Sequence, residues 1–187
     1  MKKKIISVAA IFLSVCLYTD VSDAAIHNQA STGHVTFSPG ALSLDAVPNF
    51  DFGQQDITAV DKTYHANSAV VVTVTDLRGS SVGWNLTVKQ DGQLKTAQNE
   101  ELVGAELSLA NGVIETNSVD TANISNGKLI PGGAALKVLD ASAGQGNGSF
   151  SAKWDTSGVT LEVPGASTKL AKSYTANLTW TLTDAPA

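Results

Sequence analysis

At 187 residues the chain has the length of a single domain, and its 43% apolar content is enough for one hydrophobic core. A formal charge of −5 argues against a nucleic-acid partner, because phosphate binding needs a basic surface. Charged residues are 16%, below the usual ~25%, and uncharged Thr, Ser, Asn and Gln supply much of the polarity, as in sheet surfaces and exported proteins.

The chain opens on Lys2-Lys3-Lys4, an apolar run from Ile5 to Tyr18, and Val21-Ser22-Asp23-Ala24, with small residues where a signal peptidase wants them. A secretory signal peptide over residues 1–24 is expected, leaving 25–187 as one β domain. The apolar run is too short for the ~20 residues of a membrane span. Cleavage after Ala24 removes Cys16, the only cysteine, so the mature chain relies on packing without a thiol. Leu13-Ser-Val-Cys16 is a poor lipoprotein box, since Val15 stands where a small residue is required. No second apolar span or covalent wall-sorting tail follows, so retention at a surface is expected to be non-covalent.

Strand candidates follow in order. His34–Ser38, Ala41–Asp45 and Asn49–Gly53 are punctuated by Pro39-Gly40 and Val47-Pro48. A short strand is expected at Lys62–His65. Ala69–Thr75 is β-branched almost throughout, which suggests burial on both faces. With Trp84–Gln90 it reads as a central antiparallel hairpin. Gln93–Val103 is the best place for a short helix. Glu106–Ala110 and Val113–Thr116 flank Asn111-Gly112, a hairpin signal. Residues 117–127 read as an Asn/Ser/Thr-rich surface excursion. Lys128–Ile130, Ala135–Asp140, Ser149–Trp154 and Val159–Val163 complete the interior candidates.

The last is Tyr174–Thr183. Tyr174, Ala176, Leu178, Trp180 and Leu182 share one face, and Thr175, Asn177, Thr179, Thr181 and Thr183 share the other. It is expected near the middle of a sheet. Trp84, Leu86 and Val88 repeat the pattern upstream, so Trp-x-Leu occurs twice, each time in an alternating strand, and the two strands are expected to lie side by side. Many short strands without a long helix predict an all-β fold, an antiparallel β-sandwich or closely related barrel.

Catalytic and metal sites find little support. Gly144–Gly148 precedes a strand and lacks the lysine and helix of a phosphate loop, so it reads as a tight turn. His27, His34 and His65 share no metal-ligand spacing. Glu100, Glu101, Glu106, Asp155 and Glu162 show no arrangement of a glycosidase pair, and no Gly-x-Ser-x-Gly elbow is present. The expectation is a non-enzyme without metal or cofactor. Trp84, Trp154 and Trp180 either stack on sugars or hold the sheets together, and the leucines in phase with Trp84 and Trp180 favour packing.

These residues resemble the WxL domain, a cell-wall-binding surface module of Gram-positive bacteria. The family's internal Trp-x-Leu is Trp84-Asn-Leu86. Its C-terminal pattern is met by Tyr174, Leu178, Thr179, Trp180, Leu182 and Pro186. Thr36-Phe37, Val47–Gly53, Asp76-Leu-Arg-Gly79 and Ala143-Gly-Gln-Gly146 also look like the family. The resemblance implies non-covalent attachment to the wall, with peptidoglycan as ligand, and company with membrane-anchored WxL-interacting proteins. By carry-over, Trp84, Leu86, Trp180 and Leu182 are the residues on which binding depends, with Tyr174 and Leu178 completing the motif.

Overall fold

The computed structural model describes residues 28–186; the expected signal peptide, residues 1–24, lies outside them. From Phe37 onward the chain forms one compact unit. Its strands are β1 (Leu42–Ala46), β2 (Lys62–His65), β3 (Val70–Asp76), β4 (Trp84–Gln90), β5 (Glu106–Leu109) and β6 (Val113–Thr116). They continue as β7 (Asn123–Ile124), β8 (Gly127–Leu129), β9 (Leu136–Ala141), β10 (Gly148–Trp154), β11 (Val159–Val163) and β12 (Leu178–Thr183). A single 3-10 turn at Thr156–Gly158 is the only helical element among the described residues. The fold is all-β, as expected.

Three four-stranded antiparallel sheets run in the orders β1-β3-β10-β6, β2-β11-β5-β8 and β12-β4-β9-β7, sandwich-like and without closing into a barrel. Alternation drives each strand inward on one side. Trp84, Leu86 and Val88 of β4, Phe150, Ala152 and Trp154 of β10, and Val159, Leu161 and Val163 of β11 meet in one core. The Trp84 and Phe150 rings pack 5.9 Å apart at a 55° tilt, joining two sheets in the edge-inclined geometry that aromatic quadrupoles favour.

Several local expectations give way to long-range pairing. β3 buries Val70, Val72 and Val74 but turns Val71, Thr73 and Thr75 outward, so only one face is covered. β3 and β4 lie in different sheets, and so do β5 and β6. The Asn111-Gly112 turn therefore carries the chain between sheets. Only Asn111 takes positive φ there, at 55°, and Gly112 is small because the Trp154 indole lies against it. Among the described residues no ladder joins two strands consecutive in sequence.

His34–Ser38 and Asn49–Gly53 form no strand, since neither segment finds a ladder partner among the described residues. Residues 93–103 form no helix. Lys95 exchanges backbone hydrogen bonds of 2.9 Å with Thr175, and Leu102 N–H reaches Leu94 C=O at 2.8 Å, so these groups bond across the segment rather than along it. The last strand begins at Leu178 and lies at a sheet edge, not in the middle.

Candidate functional site

The two Trp-x-Leu segments are neighbours. β12 pairs antiparallel with β4, setting Leu178 opposite Gln90, Trp180 opposite Val88 and Leu182 opposite Leu86. Directly opposed residues share a face, so Trp84, Leu86, Trp180 and Leu182 all point to the same side. The two indoles do not stack, because Trp84 lies four residues along β4 from Val88, about 13 Å.

Position in the sheet separates the two halves. β4 has neighbours on both sides, and Trp84 and Leu86 are 0% exposed. The Trp84 indole N–H donates to Gly146 C=O at 3.1 Å. Gly146 has φ 90°, and a Cβ there would stand 2.6 Å from Trp84 Nε1 and 2.4 Å from the Ala141 Cβ. The glycine-rich loop is thus a tight turn moulded to an indole. Among the described residues β12 has one neighbour only, and its Leu178, Trp180 and Leu182 remain half-buried.

An open cleft of about 1290 Å³ lies beside β12. Leu178, Trp180, Tyr174, Phe50, Phe52 and Tyr64 line it, over core residues such as Leu107 and Leu161. The Tyr174 hydroxyl accepts the Leu170 N–H at 2.9 Å, which fixes the turn that leads into β12. Of the sequence-expected site residues, Tyr174, Leu178 and Trp180 border the cleft. Trp84 and Leu86 do not line it and lie wholly in the core, and Leu182 continues the β12 face beyond it.

Phe50 and Phe52 are the residues that strand reasoning misplaced. They fall in the expected strand Asn49–Gly53, but the segment is a cleft wall without a ladder.

The rim is mixed in charge. Asp51, Asp56 and Asp91 line it together with Lys169 and Lys172. Lys169 Nζ donates to the carbonyls of Pro164, Gly165 and Ser167 at 2.8, 3.2 and 3.0 Å, which occupies its three donors. Lys172 pairs with Glu100 at 2.7 Å and holds that carboxyl below its ordinary range, helped by the Thr96 hydroxyl. Asp51 is held low by the backbone N–H of Gly53 and by Asn67.

Beyond the far end of β12, Arg78 bridges Asp76 at 2.7 Å and also binds Asp184. Asn85 Nδ2 donates to Ala185 C=O at 3.0 Å, so the residues after β12 are fastened too. The buried Asp76 carboxylate is held below its ordinary range, chiefly by hydrogen bonds from the Arg78 guanidinium.

Among the described residues, no cluster of three His, Cys, Asp or Glu side chains forms a metal cage. Glu106 and Glu162 stand opposite each other on β5 and β11, but both bind Lys128 Nζ, at 2.6 and 3.1 Å. Hydrogen bonds to the Glu106 and Glu162 carboxylates hold the Lys128 ammonium above its ordinary range, and the three groups form a surface ion-pair cluster.

The architecture defines an all-β, sandwich-like domain with an open cleft along an edge strand. A family model, the WxL domain, described as surface cell wall-binding, matches residues 22–186. The chain belongs to this family, and its role is attachment to the cell wall at the cell surface. No curated protein and no solved structure matches it significantly. No helix among the described residues is long and apolar enough to cross a membrane.

Proposed function

We propose that this chain is an exported, non-catalytic module that holds peptidoglycan without a covalent bond, through the cleft beside β12. The observation that carries this reading is the half-buried Trp180 on an edge strand, lining a cleft with Leu178 and Tyr174. Sugar rings present flat CH faces that stack on an indole, while their hydroxyls take hydrogen bonds from a polar rim. Trp84 and Leu86 contribute as the rigid backing that holds β12 in place.

The test is co-sedimentation with purified sacculi. Trp180→Ala is expected to lose most binding while keeping the circular dichroism spectrum of the parent. Full binding by a folded Trp180→Ala protein would remove the cleft from the reading.

A second reading has the chain as a structural subunit that binds partner wall proteins, such as membrane-anchored WxL-interacting proteins, instead of glycan. The net charge of −5 favours it, since acidic wall polymers are poor partners for an acidic protein and a basic protein is a good one. Parallel capture with sacculi and with extracted membrane proteins separates the two. Recovery on sacculi alone eliminates the second.

A further inference from the structure

The sandwich has six sheet edges, and five carry devices that discourage pairing with another chain. β1 holds a register shift between Leu44 and Ala46 beside the charged Asp45. β2 carries Lys62, β6 carries Glu115, β8 is three residues long with Lys128, and β7 is two residues long. The sixth edge is β12, with no charge, proline, glycine or bulge over Leu178–Thr183.

That edge also presents its backbone outward. The β12–β4 register continues to Asn177 opposite Asp91, and Asp91 N–H donates to Asn177 C=O at 3.0 Å. A bond within a directly opposed pair marks the hydrogen-bonded positions, which recur every second residue. Thr179, Thr181 and Thr183 are therefore bonded to β4. The N–H and C=O of Leu178, Trp180 and Leu182 face the free side, where no hydrogen bond reaches them among the described residues.

The sequence of this edge, Leu178-Thr179-Trp180-Thr181-Leu182, reads the same in both directions. We infer that β12 pairs antiparallel with β12 of a second copy of this chain, about a two-fold axis at Trp180. Antiparallel pairing reverses direction, so a palindromic strand is its own complement and the interface is isologous. Leu178 meets the second copy's Leu182, Thr179 meets its Thr181, and Trp180 meets its Trp180. The outward groups of three residues on each side make six backbone hydrogen bonds, and two four-stranded sheets become one of eight.

Charge and side-chain chemistry permit this occupant. Thr–Thr and apolar–apolar pairs are favourable across an antiparallel ladder. In this register Asp184 falls opposite Ala176, so no like charges meet. The half-buried Leu178, Trp180 and Leu182 gain cover from the added strand. One strand pair buries well below the ~1,600 Å² of a standard stable interface, so association is weak and concentration-dependent. Two copies of net charge −5 repel at long range, and added salt strengthens the pairing by screening.

Sedimentation velocity of the purified protein over a rising concentration series, with no wall present, tests the pairing apart from glycan binding. The parent is expected to shift from monomer towards dimer. In Thr179→Lys/Thr181→Lys the introduced ammonium groups face each other across the axis, and the protein should remain monomeric. In Thr179→Lys/Thr181→Glu opposite charges meet, and association should be restored. Both positions are exposed on the wet face, so circular dichroism should be unchanged in each. A parent that stays monomeric at millimolar concentration overturns the inference. So does a doubly lysine-substituted variant that dimerises like the parent.

Discussion

Leu86 and Leu182 stand directly opposite each other across the β4–β12 pair, yet Leu86 is wholly buried and Leu182 only half so. Equal residues in equal motifs thus have unequal roles, set by whether the strand has one neighbour or two. Leu86→Ala is expected to cost about 2–5 kcal/mol, the range for emptying a closed core site. Leu182→Ala should cost about 1 kcal/mol, as a partly open site loses less. Urea midpoints of the two variants read the difference directly, and equal losses would contradict the burial contrast.

Tryptophan emission separates the three indoles. Trp84 and Trp154 are fully buried, with their N–H groups bonded to Gly146 C=O and Asn126 Oδ1. Trp180 is the one that borders the cleft. Acrylamide should quench the parent in part, and Trp180→Phe should remove most of the quenchable fraction. Retention of that fraction would move the accessible indole elsewhere.

The Ala143–Gly146 loop offers a control built into the fold. Gly144 and Gly146 have φ of 89° and 90°, so alanine is strained to a similar degree at either. Gly144 faces open space, whereas Gly146 abuts Trp84 and Ala141. Gly146→Ala should therefore be the more destabilising by about 1–3 kcal/mol, the usual cost of overpacking. Thermal melts of the pair test this, with Gly144→Ala as the baseline for backbone strain.

Acid should loosen the clasp that follows β12. Arg78 keeps the folded-state pKa of Asp76 below its unfolded value, so the unfolded chain takes up the proton first. The resulting stabilisation is complete above the unfolded value of about 4 and is lost as pH falls through the lower folded value. Arg78→Ala leaves a buried carboxylate without its partner, at a cost of about 3–5 kcal/mol near neutral pH. Desolvation then raises the Asp76 pKa, and the slope reverses: the variant should gain stability as pH falls from 7 towards 5. Denaturant titrations across that interval distinguish the two slopes.

How much of this was legible from residues alone depends on the range of the interaction. The two-residue alternation of Trp84–Gln90 and Leu178–Thr183 marked both strands and the face they share, because inward and outward positions are a local property. The repeated motif pointed to their adjacency, which the ladder bears out. Pairing partners elsewhere were not legible. Asn111-Gly112 carries a strong turn signal, but β5 pairs with β11 and β6 with β10, partners far away in sequence that no local signal names. The run of valines in β3 looked buried on both sides, yet a β-branched residue suits an outer sheet face as well as a core. The cleft escaped sequence reading because its wall at Phe50 and Phe52 belongs to no ladder, and irregular backbone leaves no periodic trace.

The absence, among the described residues, of any ladder between consecutive strands bears on how the chain reaches its native state. Without a hairpin to nucleate on, each pairing must close a large loop before it is rewarded, and such topologies fold on the order of milliseconds to seconds. A polypeptide of this kind stays without its native sheets over that interval. On the proposal that the protein is exported, that delay would let it pass through a narrow conduit before its sheets assemble.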